Sequence, residues 1–133
     1  MDSILDRGDT GPLYMCRPEI ATVVVDAIQY GEQQMSKYHL HAYVVMPNHV
    51  HMLITPFDAL ERITHSLKRF TARKANELLG LTGRPFWQEE SYDRLVRDTD
   101  GFERVVHYIE NNPVRAGLVR EPQEFLWSSA KAD

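Results

Sequence analysis

The stretch from His39 to Thr55 leaves few folds open to this chain. Leu40, Ala42, Val44 and Met46 alternate with His39, His41, Tyr43 and Val45. Met46-Pro47-Asn48 then interrupts the pattern, because proline cannot donate to a strand ladder. A second apolar segment, His49 to Thr55, follows at once and closes at Pro56. Two strands this close in sequence pair most simply as an antiparallel hairpin. Helical patterns flank it. Pro18 and Glu19 favour a helix start, and Ile20, Val23, Val24, Ala27 and Ile28 recur at helical spacing as far as Gly31. Leu60, Ile63, Leu67, Phe70, Ala75 and Leu78 give a longer amphipathic helix from about Asp58 to Leu79, stopped by Gly80. Arg84 to Gln88 and Asp93 to Arg97 read as short extended pieces. Asp98 or Thr99 can cap a third helix, whose Phe102, Val105, Val106 and Ile109 form one apolar face before Pro113 forces an end near Asn112. Residues 1–16, with Gly8, Gly11 and Pro12, show neither period and predict an irregular lead-in.

With 133 residues the whole chain, 1–133, is expected to form one domain. Its 43% hydrophobic and 26% charged content suits a packed core and argues against disorder. No apolar run reaches the ~20 residues needed to span a bilayer, and the first residues lack the order of a secretory signal, so a cytoplasmic protein with no membrane partner is expected. A lone cysteine, Cys16, cannot form an internal disulfide or make a thiolate metal site alone.

A net charge of −4 argues against coating nucleic acid by bulk electrostatics. The charge is uneven, however. Residues 60–97 carry eight Lys/Arg against five Asp/Glu, whereas both flanking segments are acidic. A polyanion is therefore expected to meet Lys68, Arg69, Arg73 and Lys74, although the same residues would equally serve as the solvated face of a helix.

His49 and His51 lie two apart on a predicted strand, so both project from one face while Val50 turns into the core. Two imidazoles on one face can share a metal ion, and the opening of a strand is where sites are commonly assembled. His39 and His41 repeat the spacing, which makes zinc binding by three or four histidines a competing arrangement. On the third helix Tyr108 and Asn112 are four apart, hence on the same flank. Tyrosine is weak as a nucleophile at its free pKa near 10 and needs an electrophile polarised by a metal. Packing beside Val105 and Ile109, and a plain helix-terminal role, are the alternatives for Tyr108 and Asn112.

Ala42 to His51, Ser66 to Thr71, Phe86-Trp87-Gln88 with Tyr92 to Arg97, Tyr108 to Val119, and Trp127-Ser128-Ser129 occur in that order. In these five motifs the chain resembles the single-tyrosine HUH transposases, most closely their REP-associated branch, and the resemblance covers roughly residues 10–130. The resemblance implies an α+β fold, a ferredoxin-like antiparallel sheet with helices on one face. It also implies a metal-dependent single-stranded DNA endonuclease and strand transferase that forms a 5′-phosphotyrosine intermediate. Carried over by position, His49, His51 and Asn112 would hold Mg²⁺ or Mn²⁺ and Tyr108 would be the nucleophile, with Tyr92 as its rival. Single-stranded or hairpin DNA would be the partner, contacted by Lys68, Arg69, Arg73, Lys74, Trp87 and Arg94. A copy that grips hairpin DNA without cutting it, and a zinc hydrolase unrelated to DNA, are the other readings. The family's usual first strand is not legible ahead of the first helix. An unpaired sheet edge and a homodimer that buries it are therefore expected.

Overall fold

The computed structural model describes residues 2–5, 14–87, 92–94 and 99–132. The predicted hairpin is there. Strands β2 (Tyr38–Val45) and β3 (Val50–Pro56) pair antiparallel, with Val45 opposite Val50 and Tyr38 opposite Pro56. Their sheet continues through β1 (Asp2–Leu5) to β4 (Tyr92–Arg94), in the order β2-β3-β1-β4. Helix α1 (Pro18–Gln33) links β1 to β2, and α2 (Leu60–Leu79) lies between β3 and β4. Helix α3 (Thr99–Glu110) and the short α4 (Asn112–Arg115) follow. The α+β, ferredoxin-like class is the one expected from the sequence.

Two details differ from expectation. The first strand is present: Asp2 to Leu5 pairs on one side with Leu53 to Val50 and on the other with Arg94 to Tyr92. Asp2-Ser3-Ile4-Leu5 escapes sequence reading because Asp is depleted in strands and four residues carry no alternation. Ladders on both sides supply what propensity does not. The strand bearing His51 is therefore internal, and the open edge expected beside it does not exist.

The helices also occupy both faces of the sheet. On one face, Ile20, Val24 and Ile28 of α1 and Ile63 and Ala75 of α2 pack with Tyr43, Val45, Val50, Met52 and Ile54. On the other, Val105 and Ile109 of α3 pack with Ala42, Val44, Met46 and Leu53. Because alternate strand residues point to opposite faces, a strand apolar at every position is covered twice. Residues 42 to 46 are all buried, which requires the second cover.

The outer edge of β2 is covered by the chain's own end. Val45 N–H donates to the Trp127 carbonyl at 2.8 Å, Ser129 N–H to the Tyr43 carbonyl at 2.9 Å, and Ser128 bridges Val44. An edge paired in this way is closed to a second copy along Tyr43–Val45, so the grounds for an edge-mediated homodimer disappear. No helix of the described residues is long and apolar enough to cross a membrane.

Candidate active site

His51 sits one residue inside β3 and is 3% exposed, on the face covered by α3, where Leu53 follows it in the same row. His49 precedes the strand and is half-buried. It lies in a turn closed by Met46 N–H donating to the His49 carbonyl at 2.8 Å. The two imidazoles meet edge to face with centroids 4.8 Å apart. His49 Nδ1 lies 2.9 Å from Asn48 Oδ1. An amide oxygen only accepts, so Nδ1 is the donor in this bond, and the neutral ring then carries its lone pair on Nε2, the form a metal ligand requires.

Helix α3 brings Tyr108 to the same place. Its ring meets that of His51 edge to face at 5.9 Å, and it is 41% exposed, so the side chain is open to solvent. Arg115, two helical turns further on, lays its guanidinium over the Tyr108 ring at 4.1 Å from the centroid and donates from Nη2 to the Tyr108 carbonyl at 3.2 Å. Asn112 opens α4 with Pro113 behind it and is buried. The α3 helix ends at Glu110 and restarts at Asn112, as the proline demands. Arg115 and the bond that holds α3 to the tail, Glu110 Oε2 to Ser129 Oγ at 2.6 Å, were not singled out from sequence. The signal for Arg115 is its spacing of seven from Tyr108.

The two imidazoles would suit a divalent ion that took its remaining ligands from oxygens of an amide, phosphate or water. Among the described residues no group of three or more His, Cys, Asp or Glu gathers to hold a metal. The arrangement of three or four histidines is thereby corrected. His41 is the extra residue of a β-bulge between Leu40 and Ala42 and faces Thr55, with Nε2 2.7 Å from Oγ1. Thr55 is four strand residues from His51, on the order of 13 Å. His39 and His41 stack on one another at 4.8 Å, and His41 packs on Phe102. Burial, with the like charge of His39 beside it, holds His41 below the ordinary histidine range.

The expected DNA-contacting residues divide. Arg69, Arg73 and Lys74 are exposed on α2, across the sheet from Tyr108. Lys68 and Trp87 lie on that same α2 face, where they line a cavity of about 40 Å³ with Val50, whose side chain points away from the two site histidines. Trp87 Nε1–H donates to Thr71 Oγ1 at 2.9 Å and its ring meets Phe86, so this indole is largely a packing element. Arg94 and Tyr92 lie on β4, where only their backbone is described, and the register places Tyr92 in one row with Ile4 and His51.

Residues 18–112 match the model of the family described as IS200-like transposases, and the chain belongs to that family. A REP-associated tyrosine transposase of Escherichia coli (strain K12) is 28% identical over 100 residues, which covers 72% of this chain and 56% of that protein. The chain thus spans little more than half the length of that relative. The solved structure of a REP-associated tyrosine transposase bound to a REP hairpin superposes with a TM-score of 0.68 at 21% identity, over 96% of this chain and 73% of the other. At that identity the likeness establishes the fold.

Proposed function

We propose that this chain nicks and rejoins single-stranded DNA next to a hairpin. The contact that carries the reading is the one between His51 and Tyr108: an imidazole and an exposed phenol are set ring to ring in a member of a transposase family. In the step proposed, Tyr108 Oη attacks the scissile phosphorus, the bond from phosphorus to O3′ breaks, and the departing 3′ oxygen takes up a proton. A 5′-phosphotyrosine and a free 3′-OH result, and attack by a 3′-OH on that ester rejoins strands and returns the phenol. His49, His51 and Asn112 would hold Mg²⁺ or Mn²⁺, which supplies charge neutralisation and orientation of the phosphate. The chain's own part is geometric. The Asn48 bond orients the His49 ring, and the apolar face of α3 anchors the phenol over the sheet. The hairpin is proposed as substrate because the superposed transposase is bound to one.

The test is incubation of the protein with labelled hairpin oligonucleotides bearing single-stranded tails, with Mn²⁺ or Mg²⁺, read on a denaturing gel. A protein–DNA adduct that forms in the parent and is lost in Tyr108→Phe is the expected result. Retention of the adduct in Tyr108→Phe with loss in Tyr92→Phe transfers the nucleophile to β4. Hairpin binding with no adduct in either metal makes the protein a non-catalytic hairpin binder.

A further inference from the structure

We infer that Arg115 is a phosphate-binding residue of this site, gripping the DNA backbone at the nucleophile; the inference rests on the reading of Tyr108 as the residue that meets DNA. Three observations converge. The guanidinium lies over the Tyr108 ring at 4.1 Å, and the side chain is exposed rather than buried in a structural ion pair. One of its five N–H donors is committed, to the Tyr108 carbonyl at 3.2 Å. That bond and the ring contact hold the guanidinium in place beside the phenol before any ligand arrives. Its planar fork matches two oxygens of a phosphate, and a preorganised fork loses less entropy per bond formed than a flexible ammonium.

Chemistry at the site also calls for such a group. A phosphodiester carries a full negative charge, and an approaching phenol oxygen meets that charge before it reaches phosphorus. The other ring set against Tyr108 is the imidazole of His51, which carries no fixed positive charge. Arg115 is a cation fixed within contact of the nucleophile's ring, whereas Arg69 and Arg73 lie across the sheet. Its role is charge recognition at one phosphate, with no readout of base sequence.

The experiment is a double cycle read by binding, without metal, in a Tyr108→Phe background that keeps the ring under the guanidinium. Hairpin oligonucleotides carrying a single neutral methylphosphonate, moved one position at a time along the tail, are titrated against Tyr108→Phe and against Tyr108→Phe with Arg115→Ala. A charge-assisted contact predicts about tenfold weaker binding to all-phosphate DNA without Arg115. It further predicts one tail position at which methylphosphonate weakens the Arg115 protein but leaves the Arg115→Ala protein unaffected. Arg115→Lys should keep part of the affinity and lose the position dependence. Equal effects of methylphosphonate on both proteins at every position overturn the proposal and leave Arg115 a ring-packing residue. Coupling at one position in a protein whose parent forms no adduct retains the phosphate contact and discards the nicking chemistry; an adduct without coupling does the reverse.

Discussion

The imidazole of His51 and the phenol of Tyr108 stand edge to face at 5.9 Å and 84°, joining an internal strand to the helix that covers it. The contact lies at the end of an apolar interface, where Val105 and Ile109 meet Val44 and Leu53. Hydrophobic burial therefore sets the spacing of the two polar rings, and the site inherits the rigidity of a close-packed core.

The two histidines should accordingly respond differently to truncation. His51 is 3% exposed, so His51→Ala opens a cavity under α3 and should cost about 1–3 kcal/mol of stability. His49 is half-buried in a turn outside the strand, and His49→Ala should cost well under 1 kcal/mol by the ordinary surface expectation. Both should abolish the adduct. Urea denaturation beside the adduct gel separates the effects, and a His49→Ala protein as unstable as His51→Ala would contradict the burial argument.

Alkaline pH should unfold the protein through Tyr38. Burial raises its pKa well above the ordinary 10, and the carboxylate of Glu32 adds to the shift; Tyr38 is 2% exposed and its hydroxyl donates to the Ile28 carbonyl. A group whose folded pKa is raised favours the native state below the unfolded value, and that contribution falls away as pH climbs above about 10. Tyr43 shifts the same way, chiefly by burial. Stability followed by urea midpoint should hold level to about pH 9.5 and then drop, and Tyr38→Phe should flatten the drop while lowering the plateau. An unchanged alkaline slope in Tyr38→Phe would exclude Tyr38 as its source.

The helix cations offer a test of path. Lys68 shares a cavity wall with Val50 and Trp87, while exposed Arg73 lies over the Phe70 ring at 5.7 Å on the outer side of α2. If the DNA strand passes the α2 face of the sheet near Val50, Lys68→Ala should weaken hairpin binding and lower the salt slope by roughly 0.7, the share of a single neutralised phosphate on single-stranded DNA. Arg73→Ala should leave both nearly unchanged. A larger slope change in Arg73→Ala would instead route DNA over the outer face of α2.

What could be read from sequence tracks how local each signal is. The hairpin, α1 and α2 were legible because their periods run for a full element, and Pro18, Gly80 and Pro113 mark boundaries by backbone chemistry alone; Gly80 takes φ 71° at the end of α2. The pairing of His49 with His51 and the flank shared by Tyr108 and Asn112 follow from spacing. The meeting of these two sets does not, since only the apolar contact of α3 with β2 and β3 decides it. The strand Asp2–Leu5 stayed hidden because its stability resides in its neighbours' ladders, and the covering of the far face by α3 was written only in the burial of every residue from 42 to 46.

The bond between Glu110 and Ser129 should set how firmly Tyr108 is held. Glu110 lies two residues from Tyr108 and two from Asn112, and its carboxylate accepts from Ser129 Oγ at 2.6 Å. Ser129 is itself fastened to the sheet: its Oγ accepts from Tyr43 N–H at 3.0 Å, and its own N–H donates to the Tyr43 carbonyl at 2.9 Å. One hydroxyl therefore ties the C-terminal end of α3 to the edge of β2. Ser129→Ala removes the charge-assisted bond and leaves the Tyr43 amide without this acceptor; because Ser129 is exposed, the destabilisation should be about 0.5–1.5 kcal/mol. Because the Val105 and Ile109 packing remains, the fold should survive and the damage should appear as looseness at Tyr108. The expected signature is slower adduct formation at saturating DNA with hairpin affinity nearly unchanged, and recovery in Ser129→Thr, which keeps the hydroxyl. Glu110→Gln retains an acceptor without the charge and should fall between the two. Equal loss of stability with an unaltered adduct rate at saturation would make the bond a fastening of the tail alone.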